Sequence, residues 1–182
     1  MDRIHNPIQD SYVTFVTTAA ESDGALTTLD MELAPGPSHA EHYHDSFTEH
    51  IEVLDGRLKV EVNGVTRTLH RGNRTSIGRD TPHRLHNPTD TPIKFRVEMR
   101  PGHRGFEHML RIHYGLANEG TVSDNGQPTS LIQRAVLADI GGTVYTDTSA
   151  ALRWSFYLLA TLPNAQKMKA DLKRRFVPEP TA

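Results

Sequence analysis

The chain has 182 residues, of which 36% are hydrophobic and 23% are charged, and its formal net charge is -2 at pH 7. This composition is typical of a globular protein with one compact domain and an appendage, and it excludes a disordered chain. The charge balance gives no reason to expect nucleic acid as a partner. Because the sequence contains no cysteine, disulfides, thiolate ligands and cysteine nucleophiles are excluded.

The sequence shows neither a signal-peptide core nor a membrane-spanning stretch. Residues 1–7 lack an apolar run of the secretory type. The longest apolar stretch, residues 152–162, is far short of the ~20 residues that cross a bilayer. We therefore expect a soluble, cytoplasmic protein with no membrane partner.

Residues 11–100 alternate between apolar and polar side chains with a period of two. In one segment Leu58, Val60 and Val62 alternate with Lys59 and Glu61, and residues 47–53 and 93–99 behave in the same way. Turn signals at residues 55–56, 63–64, 71–73 and 87–88 separate these segments. Many short strands with one buried face predict an antiparallel sandwich or barrel.

Glu49 is the exception on its strand. It shares a face with Phe47, Ile51 and Val53, so the pattern predicts that its carboxylate points into the core. A lone buried carboxylate is costly unless it is paired or bound to a metal. Glu49 is therefore a candidate functional residue.

From about residue 106 the period becomes helical. Phe106, Met109, Leu110 and His113 follow helical spacing, as do residues 131–136, and residues 149–162 and 164–175 predict two further helices separated by Pro163. The predicted organisation is a β domain over residues 1–105 and a helical extension over residues 106–182. We expect the extension to pack on the β domain or on a second subunit.

Three histidines and Glu49 form a candidate metal-ligand set. His42 and His44 are two residues apart, so both point to the same face of a strand, and His83 follows a later turn. Imidazole and carboxylate together suit a divalent transition metal. His39 lies outside this spacing and is expected to be a solvated loop residue.

The pattern resembles the two sequence motifs of the cupin superfamily. The first motif, G-x5-H-x-H-x4-E-x6-G, is matched by Gly36, His42, His44, Glu49 and Gly56. The second, G-x5-P-x-G-x2-H-x3-N, is matched by Gly72, His83 and Asn87. Gly78 and Asp80 stand where the family has proline and glycine, so the turn before His83 departs from the pattern.

The resemblance covers roughly residues 25–100 and implies an all-β core of the jelly-roll β-barrel type, followed by the α-helical extension. It also implies one divalent metal per chain, held by His42, His44, Glu49 and His83. Fe2+ is our first expectation and Mn2+ the second; Ni2+, Zn2+ and Cu2+ also suit this ligand set. A homodimer is expected from the resemblance and from the prevalence of two-fold dimers.

Several functions are compatible with such a site. Four protein ligands on a six-coordinate ion leave two positions, which suits a dioxygenase acting on a small anionic or enolisable molecule, with Glu49 as the catalytic base. A metal-dependent isomerase or decarboxylase ranks below it. The alternatives are a non-catalytic module that binds or senses a small molecule, a structural zinc site with a helical interaction surface, and a Glu49 that supports the ligands without binding the metal.

Overall fold

A computed structural model of the chain describes residues 2–36, 40–146 and 149–178, without the side chains of residues 150–153. Ten strands precede the first helix: β1 (Asp2–Asn6), β2 (Ser11–Thr17), β3 (Thr27–Leu33), β4 (His42–His44), β5 (Thr48–Asp55), β6 (Arg57–Val62), β7 (Val65–His70), β8 (Arg74–Ile77), β9 (His83–His86) and β10 (Ile93–Arg100). The remaining elements are α1 (Arg104–Asn118), α2 (Leu131–Gly141), β11 (Thr143–Tyr145), α3 (Ala150–Thr161) and α4 (Pro163–Phe176).

The strands form two antiparallel sheets. One has the order β1-β2-β3-β10-β5-β8 and the other the order β11-β4-β9-β6-β7. Apolar side chains from both sheets form the core between them, and this core includes Phe47, Ile51, Val60, Leu85, Phe95, Val97 and Met99. The predicted antiparallel jelly-roll core followed by helices is confirmed.

Helix α1 packs against two cores at once. Leu110 and Tyr114, one turn apart, belong to the core between the sheets. Ile112 and Leu116 lie on another side of the helix and belong to a second core that α1 shares with α2 and α4. The helix therefore joins the barrel to the helical residues, and the domain boundary at residues 105/106 stays a prediction.

Two strands lie outside the predicted range. Strand β1 begins at Asp2 and pairs with β2, although the period-two pattern predicts strands only from residue 11. Strand β11 interrupts the predicted helical extension and adds to the edge of the second sheet by pairing with β4. The extension is therefore not entirely helical, and β11 lies directly beside the predicted ligands His42 and His44.

Among the described residues, no helix combines the length and apolar character required to cross a bilayer.

Candidate metal centre

Two neighbouring strands bring the three predicted histidine ligands together. Strands β4 and β9 are adjacent, with His42 opposite His83, and the two-residue spacing puts His44 on the same face as His42. The imidazole centroids of His42 and His44 lie 4.5 Å and 5.4 Å from that of His83. Within the described part of the chain, one ligand atom from each histidine lies within 4.8 Å of the other two, so this group could hold a metal ion.

Backbone carbonyls fix which nitrogen of each imidazole faces the centre of the group. The Nδ1 atom of His42 lies 2.8 Å from the Ala40 carbonyl oxygen, and that of His83 lies 2.9 Å from the Thr81 carbonyl oxygen. A carbonyl can only accept, so each Nδ1 carries a proton and donates it. In the neutral imidazole this leaves the lone pair on Nε2, which is the arrangement that metal-binding histidines use.

His44 contacts the C-terminal extension. Its Nδ1 lies 3.4 Å from the Thr143 hydroxyl, and a backbone contact with Gly142 offsets part of the lowering of its pKa. Its Nε2 is buried and makes no hydrogen bond within the described residues. A buried nitrogen without a partner is costly, and a bound metal would satisfy it.

Glu49 reaches the same site from the opposite sheet. Its Oε2 lies 3.0 Å from Nε2 of His83, while its neighbours across the sheet are the buried residues Ile77 and Met99. Glu49 is only 6% exposed, as its strand pattern predicts. It does not belong to the group of ligand atoms within 4.8 Å, so its role as a fourth ligand stays a prediction.

The protonation states follow from burial and from these contacts. Burial, reinforced by the neighbouring imidazoles, lowers the pKa of His42 to about 3, and burial lowers that of His44 to about 4. Burial also opposes charge on Glu49, but the contact with His83 and the other imidazoles outweigh it and lower its pKa to about 2. At neutral pH His42 and His44 are therefore neutral and Glu49 is an anion.

His83 differs from the other two imidazoles. Burial lowers its pKa, but the contact with Glu49 outweighs burial, so the pKa of His83 is raised. The Glu49 carboxylate therefore favours the protonated form of the His83 ring. Metal binding at Nε2 must displace that proton.

The turn that delivers His83 accommodates its departure from the family pattern. Asp80 replaces the usual glycine and adopts φ 54°, which is the left-handed region that aspartate tolerates better than most residues. Its backbone N–H donates to the His44 carbonyl at 2.8 Å. The turn therefore keeps its left-handed residue, and it links the two strands that carry the histidines.

Asn87, the last residue of the second motif, holds a loop together. Its side-chain nitrogen donates to the carbonyls of Leu33 and Thr91, and its side-chain oxygen accepts from the Thr89 backbone N–H. It makes no contact with the histidines that the structure records, which fits the role of orienting a loop. His39 lies outside the described residues.

The C-terminal extension contributes strand β11 and helix α1 to the surroundings of the histidines, which the sequence pattern did not predict. Strand β11 places Thr143 opposite His44 and Tyr145 opposite His42. Phe106 of α1 meets the His44 ring edge-on, with 5.3 Å between the ring centroids. A signal for the strand was present, because Thr143, Val144 and Tyr145 are strand-forming residues that follow two glycines.

The fold and the histidine group correspond to a known family. Residues 29–99 match the profile of the Cupin_2 family, a cupin domain. That range contains the whole predicted ligand set and the strands that carry it. Over residues 29–99 the chain therefore matches a cupin domain.

Two curated relatives share the same region. The tetracenomycin polyketide synthase protein TcmJ of Streptomyces glaucescens is 34% identical over 71 residues, which are 39% of this chain and 48% of that protein. The polyketide synthase CurC of Streptomyces cyaneus is 32% identical over 69 residues, or 38% of this chain and 45% of that protein. The chain thus matches about half the length of each relative.

Solved structures resemble about half of the chain. A predicted oxalate decarboxylase of Thermotoga maritima has a TM-score of 0.48 and 21% identity, with 55% of this chain and 90% of that chain covered. KdgF from a Halomonas species has a TM-score of 0.47 and 17% identity, with 52% of this chain and 81% of that chain covered.

Proposed function

We propose that this protein is a metal-dependent enzyme that acts on a small anionic or enolisable organic molecule. The observation that carries the proposal is the convergence of His42, His44 and His83 beside the buried carboxylate of Glu49. Neutral imidazoles and one carboxylate would hold a single divalent transition metal, with Fe2+ as the first candidate. When bound, the metal supplies a Lewis acid that favours the enolate form of a substrate.

Glu49 is the proposed proton acceptor. It is an anion at neutral pH, and it is buried between its cross-strand neighbours Ile77 and Met99. A proton taken from a substrate would reside on Oε2, 3.0 Å from Nε2 of His83. Positioned bases of this kind contribute about 10²- to 10⁴-fold to the rates of proton-transfer reactions.

The curated relatives support an enolisable substrate. Both are named as polyketide synthase proteins, and polyketide chains contain 1,3-dicarbonyl groups whose central C–H is acidic. The enolate of such a group presents two oxygens to a divalent cation. We therefore propose a 1,3-dicarbonyl compound as the substrate class and its dioxygenation, with O2 as the co-substrate, as the leading reaction.

The proposal is tested with the Fe2+-loaded chain and pentane-2,4-dione as the probe. Dioxygen uptake measures oxidation, and exchange of the central C–H for deuterium under anaerobic conditions measures proton abstraction alone. We expect Glu49→Gln to reduce proton abstraction by about 10²- to 10⁴-fold. The matched control is Glu61→Gln on β6, where the carboxylate pairs with Arg84 outside the metal centre, and it should stay within about twofold of the wild type.

The outcomes separate the competing functions. Deuterium exchange without dioxygen uptake would favour an isomerase or decarboxylase. Saturable binding of the dione with neither reaction would favour the binding or sensing module. Full activity and full metal content in Glu49→Gln would show that Glu49 is not the base. The homodimer stays a prediction, which sedimentation analysis of the purified chain measures directly.

A further inference from the structure

A cavity of about 280 Å³ lies outside the barrel, where the extension meets the loop after β4. Residues of helices α2 and α3 and of strand β11 line it together with Asp45 and Ser46 of that loop, and it opens to solvent. Its volume is close to the lower end of the range of ~300–1,000 Å³ that is typical of small-molecule sites. Nothing in the proposed chemistry of the metal centre uses this space.

One end of the cavity is polar. The Ser46 hydroxyl is buried and has no hydrogen-bond partner among the described residues. A Cβ atom at Gly142 would lie 3.1 Å from Ser46 Oγ, 3.3 Å from Asp45 Oδ1 and 3.5 Å from His103 Cε1. These three side chains therefore converge close to the Gly142 backbone, where a larger residue would crowd them.

The hydrogen-bonding roles at this end are defined. His103 Nδ1 accepts from the Phe106 backbone N–H at 2.8 Å, where it caps α1, so the remaining ring proton is on Nε2. The Ser46 hydroxyl can donate and accept, and the Asp45 carboxylate can only accept. A ligand group that both donates and accepts, such as a hydroxyl, suits this arrangement.

The other walls are largely apolar and aromatic, and they include Ala138, Phe156 and Tyr157. Asp139 also lines the cavity, but its carboxylate pairs with Lys169 at 2.6 Å. Asp45 is exposed, and its carboxylate disfavours an anion at the polar end. An uncharged ring therefore suits the cavity better than a carboxylate or a phosphate.

The cavity is distinct from the metal centre. His44 lies between them, because its Nδ1 is 3.4 Å from the hydroxyl of Thr143, which lines the cavity, whereas its ring centroid is 5.4 Å from that of His83. A molecule in the cavity would therefore contact residues beside His44 and would not bind to the metal.

We propose that this cavity is a second small-molecule site that takes an uncharged aromatic compound with a hydroxyl group. The hydroxyl binds between Ser46 and Asp45, and the ring packs against Ala138, Phe156 and Tyr157. Binding there does not require the metal.

The probe is 4-fluorophenol. Its binding to the full chain is measured by fluorine NMR of the ligand. The charge control is 4-fluorobenzoate, which has a similar ring and a carboxylate. Ala138→Phe fills the cavity from a half-buried position on α2, and Ser46→Ala removes the hydroxyl. The matched control is Ala170→Phe, which adds the same ring at an exposed position of α4.

We expect saturable binding of 4-fluorophenol that persists after a chelator removes the metal. Binding should be at least about tenfold weaker for 4-fluorobenzoate and for Ala138→Phe, about three- to tenfold weaker for Ser46→Ala, and within about twofold of wild type for Ala170→Phe. Absence of saturable binding, equal binding of the benzoate, or loss of binding with the metal would overturn the proposal. If Ala138→Phe does not fold, Ser46→Ala and the benzoate comparison decide the question.

Discussion

Glu107 anchors the first helix to the barrel, and its replacement provides a quantitative test of that junction. The carboxylate is 5% exposed, and its Oε1 accepts from the Ala19 backbone N–H at 2.7 Å and from the Thr27 hydroxyl at 2.5 Å. The perturbation is Glu107→Ala, with Glu107→Gln as the matched variant. The amide oxygen of glutamine can still accept both hydrogen bonds, whereas alanine leaves both donors without a partner.

The expected magnitude follows from these two donors. Each buried donor left unsatisfied costs about 1–3 kcal/mol, so Glu107→Ala should lower the free energy of unfolding by about 3 kcal/mol. For a chain of this length that corresponds to a decrease in Tm of about 6–12 °C. Glu107→Gln should cost about 1 kcal/mol, because it loses only the charge of the acceptor.

Urea unfolding followed by circular dichroism measures both variants. The helix and the barrel should unfold in a single transition, because Leu110 and Tyr114 of α1 are part of the barrel core. Equal losses of unfolding free energy in the two variants, or a loss below about 1 kcal/mol in Glu107→Ala, would show that these hydrogen bonds do not anchor the helix.

Three further predictions concern the turns and the helical region. Asp80→Gly should have a free energy of unfolding in urea equal to that of the wild type or up to about 1 kcal/mol higher, because glycine adopts φ 54° without strain. Asn87→Ala should lower the free energy of unfolding by about 2 kcal/mol in the same assay, because two carbonyls lose their donor. Burial, with Lys173 and Arg104 nearby, lowers the pKa of His108 from 6.5 to about 4. As the pH decreases from 6.5 to about 4, His108 takes up a proton in the unfolded chain before it does so in the folded chain. The free energy of unfolding should therefore fall over this pH range, and it should fall less steeply in His108→Gln.

The features of the fold that depend on local sequence patterns could be predicted from the sequence. Alternation along residues 47–53 predicts the buried face of β5 and the burial of Glu49, because side chains of a strand alternate between its two faces. Pro163 predicts the start of α4, since its missing N–H is tolerated in the first turn of a helix. Both features depend on neighbouring residues alone.

The pairing of distant segments could not be predicted in the same way. Strand β11 lies about 100 residues after β4, and nothing in its three residues specifies the edge to which it adds. The convergence of His42, His44 and His83 could be predicted because their spacing matches a known motif. The contacts of His44 with the Gly142 backbone and the Thr143 hydroxyl could not, because they depend on that distant pairing.

Metal binding by His42, His44 and His83 underlies the proposed chemistry, and elemental analysis measures it without a substrate. The wild type, His83→Ala and His86→Ala would be purified anaerobically, loaded with Fe2+ and desalted. His86 is the matched control, because it lies on β9 but outside the histidine group. We predict about one metal ion per chain in the wild type and in His86→Ala, and loss of that ion in His83→Ala. Equal metal content in all three proteins, or none in the wild type, would contradict the account.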